Sequence, residues 1–254
     1  MAAATVFVGA GGGTTWERAA LGLPSVCVAV AANQFANAEA LARAGMHLYL
    51  GPAPQVTVDG LSQAIGVLLA NPFLRQHFAE RSMALVDGLG AQRVAVALQA
   101  DSLSTRLATE DDAQLLFDGR NAEAVRRWSV ERAPLDFDRH RQWLSATLAN
   151  EQRLLLIGEA ADGPVGMLRY DLLEPGRARV SLYLFEGRFG LGWGRALLAA
   201  GERAVRARWA GLRVIDAQVI AQNQASLAMF RAAGYTQAEC HFERELKDSQ
   251  HEQF

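Results

Sequence analysis

A glycine-rich segment in the second half of the chain constrains the fold more than any other feature. An apolar run at residues 180–185 predicts a buried strand, and an apolar-periodic helix is predicted at 196–209. Four glycines lie between them, and the last three, Gly190, Gly192 and Gly194, occupy alternate positions. A turn of this kind directs backbone N–H groups at a ligand from the positive end of a helix. The sequence therefore predicts a pyrophosphate site on the backbone of Leu191, Gly192, Trp193, Gly194 and Arg195.

A second informative segment covers residues 223–235. Asn223 is a favourable N-cap for a predicted helix at 225–232, and Gly234 suits the position that follows the helix. A strand is predicted before this helix, at 214–220, and another after it, at 235–246. Upstream, strands are predicted at 103–107, 154–159 and 165–170, and helices at 113–117, 122–128 and 137–149.

In this order the two segments resemble the GNAT acetyltransferases, and the resemblance covers residues 103–248. It implies a mixed-sheet α/β domain that uses acetyl-CoA. It also implies that the strand at 180–185 separates from its neighbour and that a free backbone N–H there meets the thioester carbonyl. The cofactor-binding residues implied in addition to the turn are Tyr183, Leu184, Phe185, Asn223 and Ser226.

The proton-transfer groups depart from the family pattern. The usual tyrosine, four residues before the Gly-Tyr pair, is Phe230 here, and a phenyl ring cannot protonate a thiolate. The CoA thiolate is stable enough near pH 8 that this loss need not abolish activity. Candidates for the general base are Glu159, Asp171, Glu186 and His140, although each carboxylate also suits an ordinary surface position.

A third set of residues points to the acceptor. The Arg120-Asn121 pair, with His140 and Trp143 further along, resembles the N-acetyltransferases of pseudaminic acid synthesis, which acetylate a UDP-4-amino-4,6-dideoxy sugar. The resemblance places Arg120, His140 and Trp143 in a nucleotide-sugar pocket, where Arg pairs with a diphosphate and an aromatic ring stacks on uracil.

Three other interpretations of these residues remain open. Trp143 also suits a helix core and His140 a surface position. GNAT enzymes of the ribosomal-protein type, which acetylate a peptide N-terminus, share the Arg-Asn pair and the His-Trp region. A module that binds acetyl-CoA or a UDP-sugar without turnover is a nonenzymatic alternative.

Residues 1–98 are predicted to form a separate layer of alternating strands and helices, with strands at 5–8 and 26–30 and helices at 17–21 and 37–44. A second glycine turn at residues 9–14, the Gly22-Leu23-Pro24 segment and Gly45 resemble part of the C-terminal domain of GT-B nucleotide-sugar proteins, in particular UDP-sugar hydrolases related to MurG. The resemblance implies a Rossmann-like half-domain, with UDP-binding roles for Gly13, Thr14, Glu17, Asn33 and Gln34.

Two interpretations of this half remain open. The N-terminal domain of these hydrolases, which carries their catalytic histidine, has no counterpart in this sequence, so we expect no hydrolase activity. We favour the interpretation that residues 1–98 are a remnant of a fused or truncated gene over the interpretation that they still bind a UDP-sugar. A dinucleotide fingerprint fits poorly, because Thr14 replaces its third glycine and Asn33 lies where an acidic residue is expected. The early strands of the family's C-terminal domain also have no counterpart here. Their absence would leave an exposed sheet edge, which suggests an oligomer or association with a hydrolase-like chain.

Composition limits the classes of partner and the cellular compartment that suit this chain. The net charge of −2 favours neither nucleic acid nor an anionic membrane as a partner. The two cysteines, Cys27 and Cys240, give no disulfide framework or metal spacing and suit a cytoplasmic protein. The predicted organisation is a half-domain at 1–98, a linker at 99–105, the GNAT domain at 106–248 and a tail at 249–254.

Overall fold

The computed structural model describes residues 1–238 and divides the chain into two compact units, with the boundary between Val94 and Ala95. Cys240, most of the strand predicted at 235–246 and the tail at 249–254 lie outside the described residues. Within the described part, no helix is both long and apolar enough to cross a lipid bilayer.

The first unit is built on a three-stranded parallel sheet, which confirms the predicted α/β layer. Its strands pair in the order β1-β2-β3. Because parallel neighbours need crossover connections, helices alternate with the strands. The elements are β1 (Phe7–Ala10), α1 (Thr14–Ala20), β2 (Ser25–Ala29), α2 (Phe35–Arg43), β3 (Leu48–Pro52), α3 (Val58–Ala70) and α4 (Pro72–Leu85).

The second unit contains a five-stranded mixed sheet in the order β4-β5-β6-β7-β8. All its pairings are antiparallel except β7 with β8, which is parallel. The strands are β4 (Ser104–Leu107), β5 (Arg153–Ala160), β6 (Gly163–Glu174), β7 (Arg177–Leu184) and β8 (Val214–Ala217). The helices are α5 (Gly90–Gln99), which spans the unit boundary, α6 (Ala113–Asn121), α7 (Glu123–Arg126), α8 (Phe137–Leu148), α9 (Trp193–Arg208) and α10 (Gln224–Ala232).

Side chains on the two faces of this sheet form two separate cores. Leu156, Leu168 and Val180 pack on the face that α9 covers, with Leu197 and Leu198 of that helix. On the opposite face, Ile157 and Met167 pack with residues of α6 and α8 such as Leu116 and Leu144. Because successive side chains of a strand point to opposite faces, residue parity decides which core a side chain joins, except near the bulge at Gly158/Glu159, where Val165 packs on the α9 side.

The ends of several elements differ from those predicted. The predicted linker at 99–105 holds the end of α5, a short 3-10 turn at Ala100–Ser102 and the start of β4. Strand β8 ends at Ala217, three residues before the predicted end, because its pairing with β7 stops there. The Thr109–Asp112 capping box is present, with the N–H of Thr109 donating to Asp112 Oδ2 at 2.8 Å.

Candidate active site

The sheet opens between β7 and β8. The last pair in their register is Val180 with Ala217, whereas β7 continues to Leu184 and stays paired with β6 on its other side. Residues 181–184 therefore have a backbone edge that β8 does not cover. A gap of this kind exposes N–H groups that can donate to a carbonyl inserted between the strands.

The three residues predicted to polarise the thioester, Tyr183, Leu184 and Phe185, differ in the direction of their backbone N–H groups. The N–H of Phe185 donates to the carbonyl of Val165 at 2.9 Å and so belongs to the β6 side. Since N–H groups alternate in direction along a strand, that of Tyr183 also faces β6 and that of Leu184 faces the gap. Phe185 and Tyr183 therefore contribute side chains, and Leu184 is the residue whose N–H suits the carbonyl.

The glycine turn leads directly into α9. Gly192 is the N-cap residue with φ +99°, and Gly190 has φ +73°, so both adopt the left-handed conformation that glycine permits. No side chain caps α9, which leaves the first N–H groups of the helix, from Trp193 to Arg195, without a capping acceptor. This geometry fits the diphosphate of acetyl-CoA at the place where the sequence predicts a pyrophosphate site.

Gly194 lies against α10. A Cβ atom at this position would lie 2.6 Å from the Sδ atom of Met229, so a larger residue here requires the Met229 side chain to move. Arg188, next to Phe189 before the turn, donates to Asp162 Oδ2 at 2.7 Å, and its guanidinium lies 5.8 Å from the ring centroid of Trp193. These contacts fix the turn to the β5–β6 hairpin and to the core.

Asn223 begins α10. Its Oδ1 atom accepts from the N–H of Ser226 at 3.1 Å, so the side-chain oxygen is committed to the helix cap. The amide nitrogen of Asn223 is left to donate to a ligand. The capping role is therefore present in the structure, and the cofactor-binding roles of Asn223 and Ser226 stay predictions.

Two substitutions of Asn223 separate these roles. Asn223→Asp keeps the capping oxygen and removes the amide donor, so we expect a melting temperature near that of the wild type and acetyl-CoA binding about three- to ten-fold weaker. Asn223→Ala loses the cap as well, at a cost of about 1 kcal/mol. Calorimetric titration and thermal unfolding measure both quantities. Unchanged affinity in Asn223→Asp would confine this residue to capping.

Neither Tyr235 nor Tyr183 has a free hydroxyl to replace the missing acid at Phe230. The Phe230 ring packs edge-on against Tyr235, with centroids 5.0 Å apart. The hydroxyl of Tyr235 donates to Glu202 Oε1 at 2.9 Å, and burial raises the pKa of this phenol. The hydroxyl of Tyr183 donates to the carbonyl of Leu116 at 2.9 Å. Both phenols are committed to protein acceptors.

The three candidate carboxylates have different surroundings. Glu159 accepts from Arg106 Nε at 2.8 Å. Asp171 Oδ1 lies 3.2 Å from Arg153 Nε, and its Oδ2 lies 3.0 Å from Arg169 Nε. Glu186 follows the end of β7, is exposed, and has no ion pair within residues 1–238. Of the three, Glu186 alone is free to take up a proton from a substrate amine.

Asp171 belongs to a row of alternating charges across the sheet. The strand registers place Arg153, Asp171, Arg179 and Asp216 side by side on four neighbouring strands, on the face that carries α6 and α8. Opposite charges in adjacent strands stabilise a sheet. The row gives Asp171 a structural role that no spacing within the sequence reveals, because it depends on the register of four strands.

Arg106, which pairs with Glu159, also pairs with Asp112, and this second ion pair affects the stability of the fold at low pH. Arg106 donates to both oxygens of Asp112 at 2.7 Å, and these bonds hold the pKa of this buried carboxyl below its ordinary value. The stabilisation is present above the unfolded pKa, near 4, and is lost as the pH falls through the lower folded pKa. Asp112→Asn should cost about 2–3 kcal/mol at pH 7 and reduce the acid-dependent loss of stability. Urea unfolding at several pH values tests this, with exposed Asp111→Asn as the matched control.

The three predicted acceptor residues lie together beside α6 and α8. His140 is 3% exposed, and its ring lies 5.3 Å from that of Trp143 and 5.6 Å from that of Phe117. Burial lowers the pKa of His140 and raises the pKa of Tyr183, and the positive charge of nearby Arg120 adds to the first shift and opposes the second. The guanidinium of Arg169 also lies 5.9 Å from the Trp143 ring, so part of this indole is already in contact with protein groups.

Two nitrogen atoms in this cluster have no hydrogen-bond partner. They are Arg120 Nη1 and His140 Nε2, and both are buried. Burial lowers the pKa of His140, while a hydrogen bond to the backbone of Ala113 opposes this shift. The imidazole is therefore neutral near pH 7, with its proton on the nitrogen that meets Ala113 and a lone pair on Nε2.

Asn121 and Arg120 also anchor the loop between α7 and α8. The side chain of Asn121 accepts from the N–H of Leu135 at 2.8 Å and donates to its carbonyl at 3.3 Å, and Arg120 Nη2 donates to the carbonyl of Glu131 at 3.0 Å. The pair therefore positions a loop beside the cluster. That Arg120 and Asn121 are adjacent identifies the motif in the sequence, but it does not predict that the two side chains hold this loop.

In the first unit, the predicted UDP residues lie at the carboxyl ends of β1 and β2. Gly13 caps α1, Thr14 and Glu17 are exposed on that helix, and Asn33 is exposed in the 3-10 turn that precedes α2. Gln34 Oε1 accepts from the N–H of Val30 at 3.1 Å. The structure brings these residues to one edge of the parallel sheet, and their binding of UDP stays a prediction.

The mixed sheet opens between two parallel strands, and beside the opening an uncapped helix follows a glycine turn. Together these features define an acyltransferase fold of the CoA-binding class. Residues 118–235 match the model of the acetyltransferase (GNAT) family. The second unit therefore contains a GNAT acetyltransferase domain, and the protein is an acyltransferase that takes acetyl-CoA. The mixed α/β fold predicted for this part of the chain is confirmed.

Solved structures similar to this chain include several acetyltransferases. Aminoglycoside acetyltransferase AAC(6')-Ib in complex with coenzyme A has 19% identity and a TM-score of 0.48 over 54% of this chain and 85% of its own. Spermidine N-acetyltransferase from Vibrio cholerae, in complex with CoA and spermine, has 16% identity and a TM-score of 0.48 over 54% and 82%. A domain from Methanocaldococcus jannaschii has 18% identity and a TM-score of 0.49 over 56% and 92%. No curated protein matches this chain at a significant level.

Proposed function

We propose that this acetyltransferase transfers the acetyl group of acetyl-CoA to the amine of a nucleotide sugar, a UDP-4-amino-4,6-dideoxy sugar of the kind used in pseudaminic acid synthesis. The observation that carries the proposal is the pair of buried nitrogen atoms without partners, Arg120 Nη1 and His140 Nε2. Buried polar atoms are costly unless they meet a ligand. A guanidinium donor suits a diphosphate oxygen, and an unprotonated imidazole nitrogen suits a sugar hydroxyl or amine.

The residues of the second unit have distinct roles in this reaction. The N–H groups from Leu191 to Arg195 bind the diphosphate of acetyl-CoA, and the N–H of Leu184 donates to the thioester oxygen. Glu186 accepts a proton from the sugar ammonium through a water molecule. The neutral amine then attacks the carbonyl carbon, and the carbon–sulfur bond breaks so that CoA leaves as a thiolate. The nitrogen gives up its remaining excess proton to water, which leaves the neutral amide.

A thiol-release assay with different acceptors tests the substrate class. Acetyl-CoA is supplied with a panel of UDP-4-amino sugars, or with peptides that carry the N-terminus of a ribosomal protein, and free thiol is measured. Turnover with the amino sugars alone supports the proposal. Turnover with peptides alone would overturn the acceptor and leave the acetyltransferase intact. Tight binding of acetyl-CoA without any turnover would favour a binding module.

Arg120→Met tests the diphosphate contact directly. Removing a charged partner of a phosphate should raise the KM for the nucleotide sugar about 30-fold and change kcat much less. Affinity for acetyl-CoA, measured by titration, should stay at the wild-type value, which shows that the domain is folded. Arg120→Lys keeps the charge without the planar fork and should have an intermediate KM. An unchanged KM in Arg120→Met would remove this residue from the acceptor site.

For the first unit, we propose that it is a remnant of a nucleotide-sugar hydrolase and has no hydrolase activity. Support comes from the parallel α/β sheet and from the glycine turn with the exposed Thr14 and Glu17 at its carboxyl edge. Release of UDP from a UDP-sugar by the full chain would contradict this. Equilibrium binding of UDP to the full chain and to a Glu17→Gln variant tests whether the site is retained.

A further inference from the structure

The core of the first unit contains a buried positive charge. Arg18 on α1 is 2% exposed, and within the described residues no carboxylate pairs with it. Its Nη2 atom donates to Thr15 Oγ1 at 3.1 Å, and its guanidinium carbon lies 4.8 Å from the centroid of the Phe7 ring. Its Nη1 atom is buried without a partner. Removing a cation from water without a counter-charge costs several kcal/mol.

A small cavity adjoins this guanidinium. Its volume is about 10 Å³, and polar residues form much of its lining: Thr15, Arg18, Ser25, His47 and Ser82. These are five of the eight buried polar or charged residues in the described part of the chain, and each is at most 4% exposed. Polar groups are rarely concentrated in a core without something for them to bind.

The neighbours of the cavity leave the charge of Arg18 uncompensated. His47 Nε2 contacts the carbonyl of Ala38 at 2.9 Å, and burial lowers the pKa of this imidazole, so it is neutral near pH 7. The hydroxyl of Ser25 donates to the carbonyl of Leu23 at 2.8 Å. Ser82 makes only a long bond of 3.4 Å to the carbonyl of Met46, so its hydroxyl can turn toward the cavity.

We propose that this cavity binds a single monatomic anion, with chloride as the physiological occupant, between the Nη1 atom of Arg18 and the hydroxyls of Thr15 and Ser82. A volume of about 10 Å³ is close to the least that holds one water-sized particle, so a chloride ion enters only if the Thr15 and Ser82 side chains move outward slightly. Phosphate, sulfate and carboxylates are larger still and do not fit. The anion supplies the charge that the protein does not provide. The site lies within the first unit and is independent of acetyl transfer.

The test uses the full chain in sodium chloride and in sodium gluconate at equal ionic strength. Gluconate is too large for the cavity, so chloride alone should stabilise the first unit. Hydrogen exchange at the backbone amides of α1 and β2 should slow in chloride, by about ten-fold when its concentration is ten times its dissociation constant. Crystals grown in sodium bromide should show an anomalous peak beside Arg18 Nη1.

A charge-removing variant and its control complete the experiment. Arg18→Met should abolish the difference between chloride and gluconate, whereas Arg43→Met, which removes an exposed arginine of α2, should preserve it. If Arg18→Met does not fold, the bromide peak in the wild-type crystal decides. Equal exchange rates in the two salts, or density without an anomalous signal, would show that the cavity holds water and would overturn the proposal.

Discussion

Gly192→Val should weaken the binding of acetyl-CoA by about 100-fold. Gly192 has φ +99°, a conformation that a β-branched residue does not adopt without strain. A valine at this position forces the backbone out of the left-handed region and turns the N–H groups before α9 away from a common point. Loss of about two hydrogen bonds to charged phosphate oxygens, at about 1.5 kcal/mol each, gives the expected factor.

The control for this variant is Gly234→Val. Gly234 also has a left-handed backbone, with φ +87°, and follows the end of α10. Among residues 1–238, no atom lies within 4 Å of where a Cβ would be. Both variants should lose about 1–3 kcal/mol of stability from backbone strain. Calorimetric titration with acetyl-CoA should separate them, since Gly234→Val keeps its affinity. Equal affinities in the two variants would remove the turn from the cofactor site.

The choice of Gly192 rather than Gly194 shows what the sequence leaves open. Both glycines belong to the same motif, and either is a reasonable choice for a residue that must lie close to a phosphate. The structure distinguishes them, because Gly192 has a positive φ, whereas Gly194 lies in α9 against the Met229 side chain. The contact with Met229 joins two helices that are distant in sequence, so no local pattern predicts it.

The same distinction holds for the rest of the fold and site. The periodicity of residues 180–209 predicts the strand and helix because these features are local. The partners of Glu159 and Asp171 depend on strand register, which a sequence pattern does not define. Likewise, the different roles of Leu184 and Phe185 depend on which neighbouring strand each N–H faces.

Glu186→Gln should lower kcat by about 100-fold with little change in the KM for either substrate. A positioned general base contributes about 10² to 10⁴ to the rate, and the lower value suits a carboxylate that acts through water. Glutamine has the size of glutamate but cannot accept the proton of the ammonium. Glu151→Gln, an exposed carboxylate in the loop before β5, is the matched control and should retain full activity.

The alternative base in the same region is His140, whose Nε2 atom carries a free lone pair. If Glu186 is the base, His140→Gln should raise the KM for the nucleotide sugar and preserve kcat, because the imidazole then only binds the acceptor. Raising the pH should partly restore the Glu186→Gln variant, since more of the amine is then already deprotonated. A large loss of kcat in His140→Gln, with Glu186→Gln fully active, would transfer the role of base from the carboxylate to the imidazole.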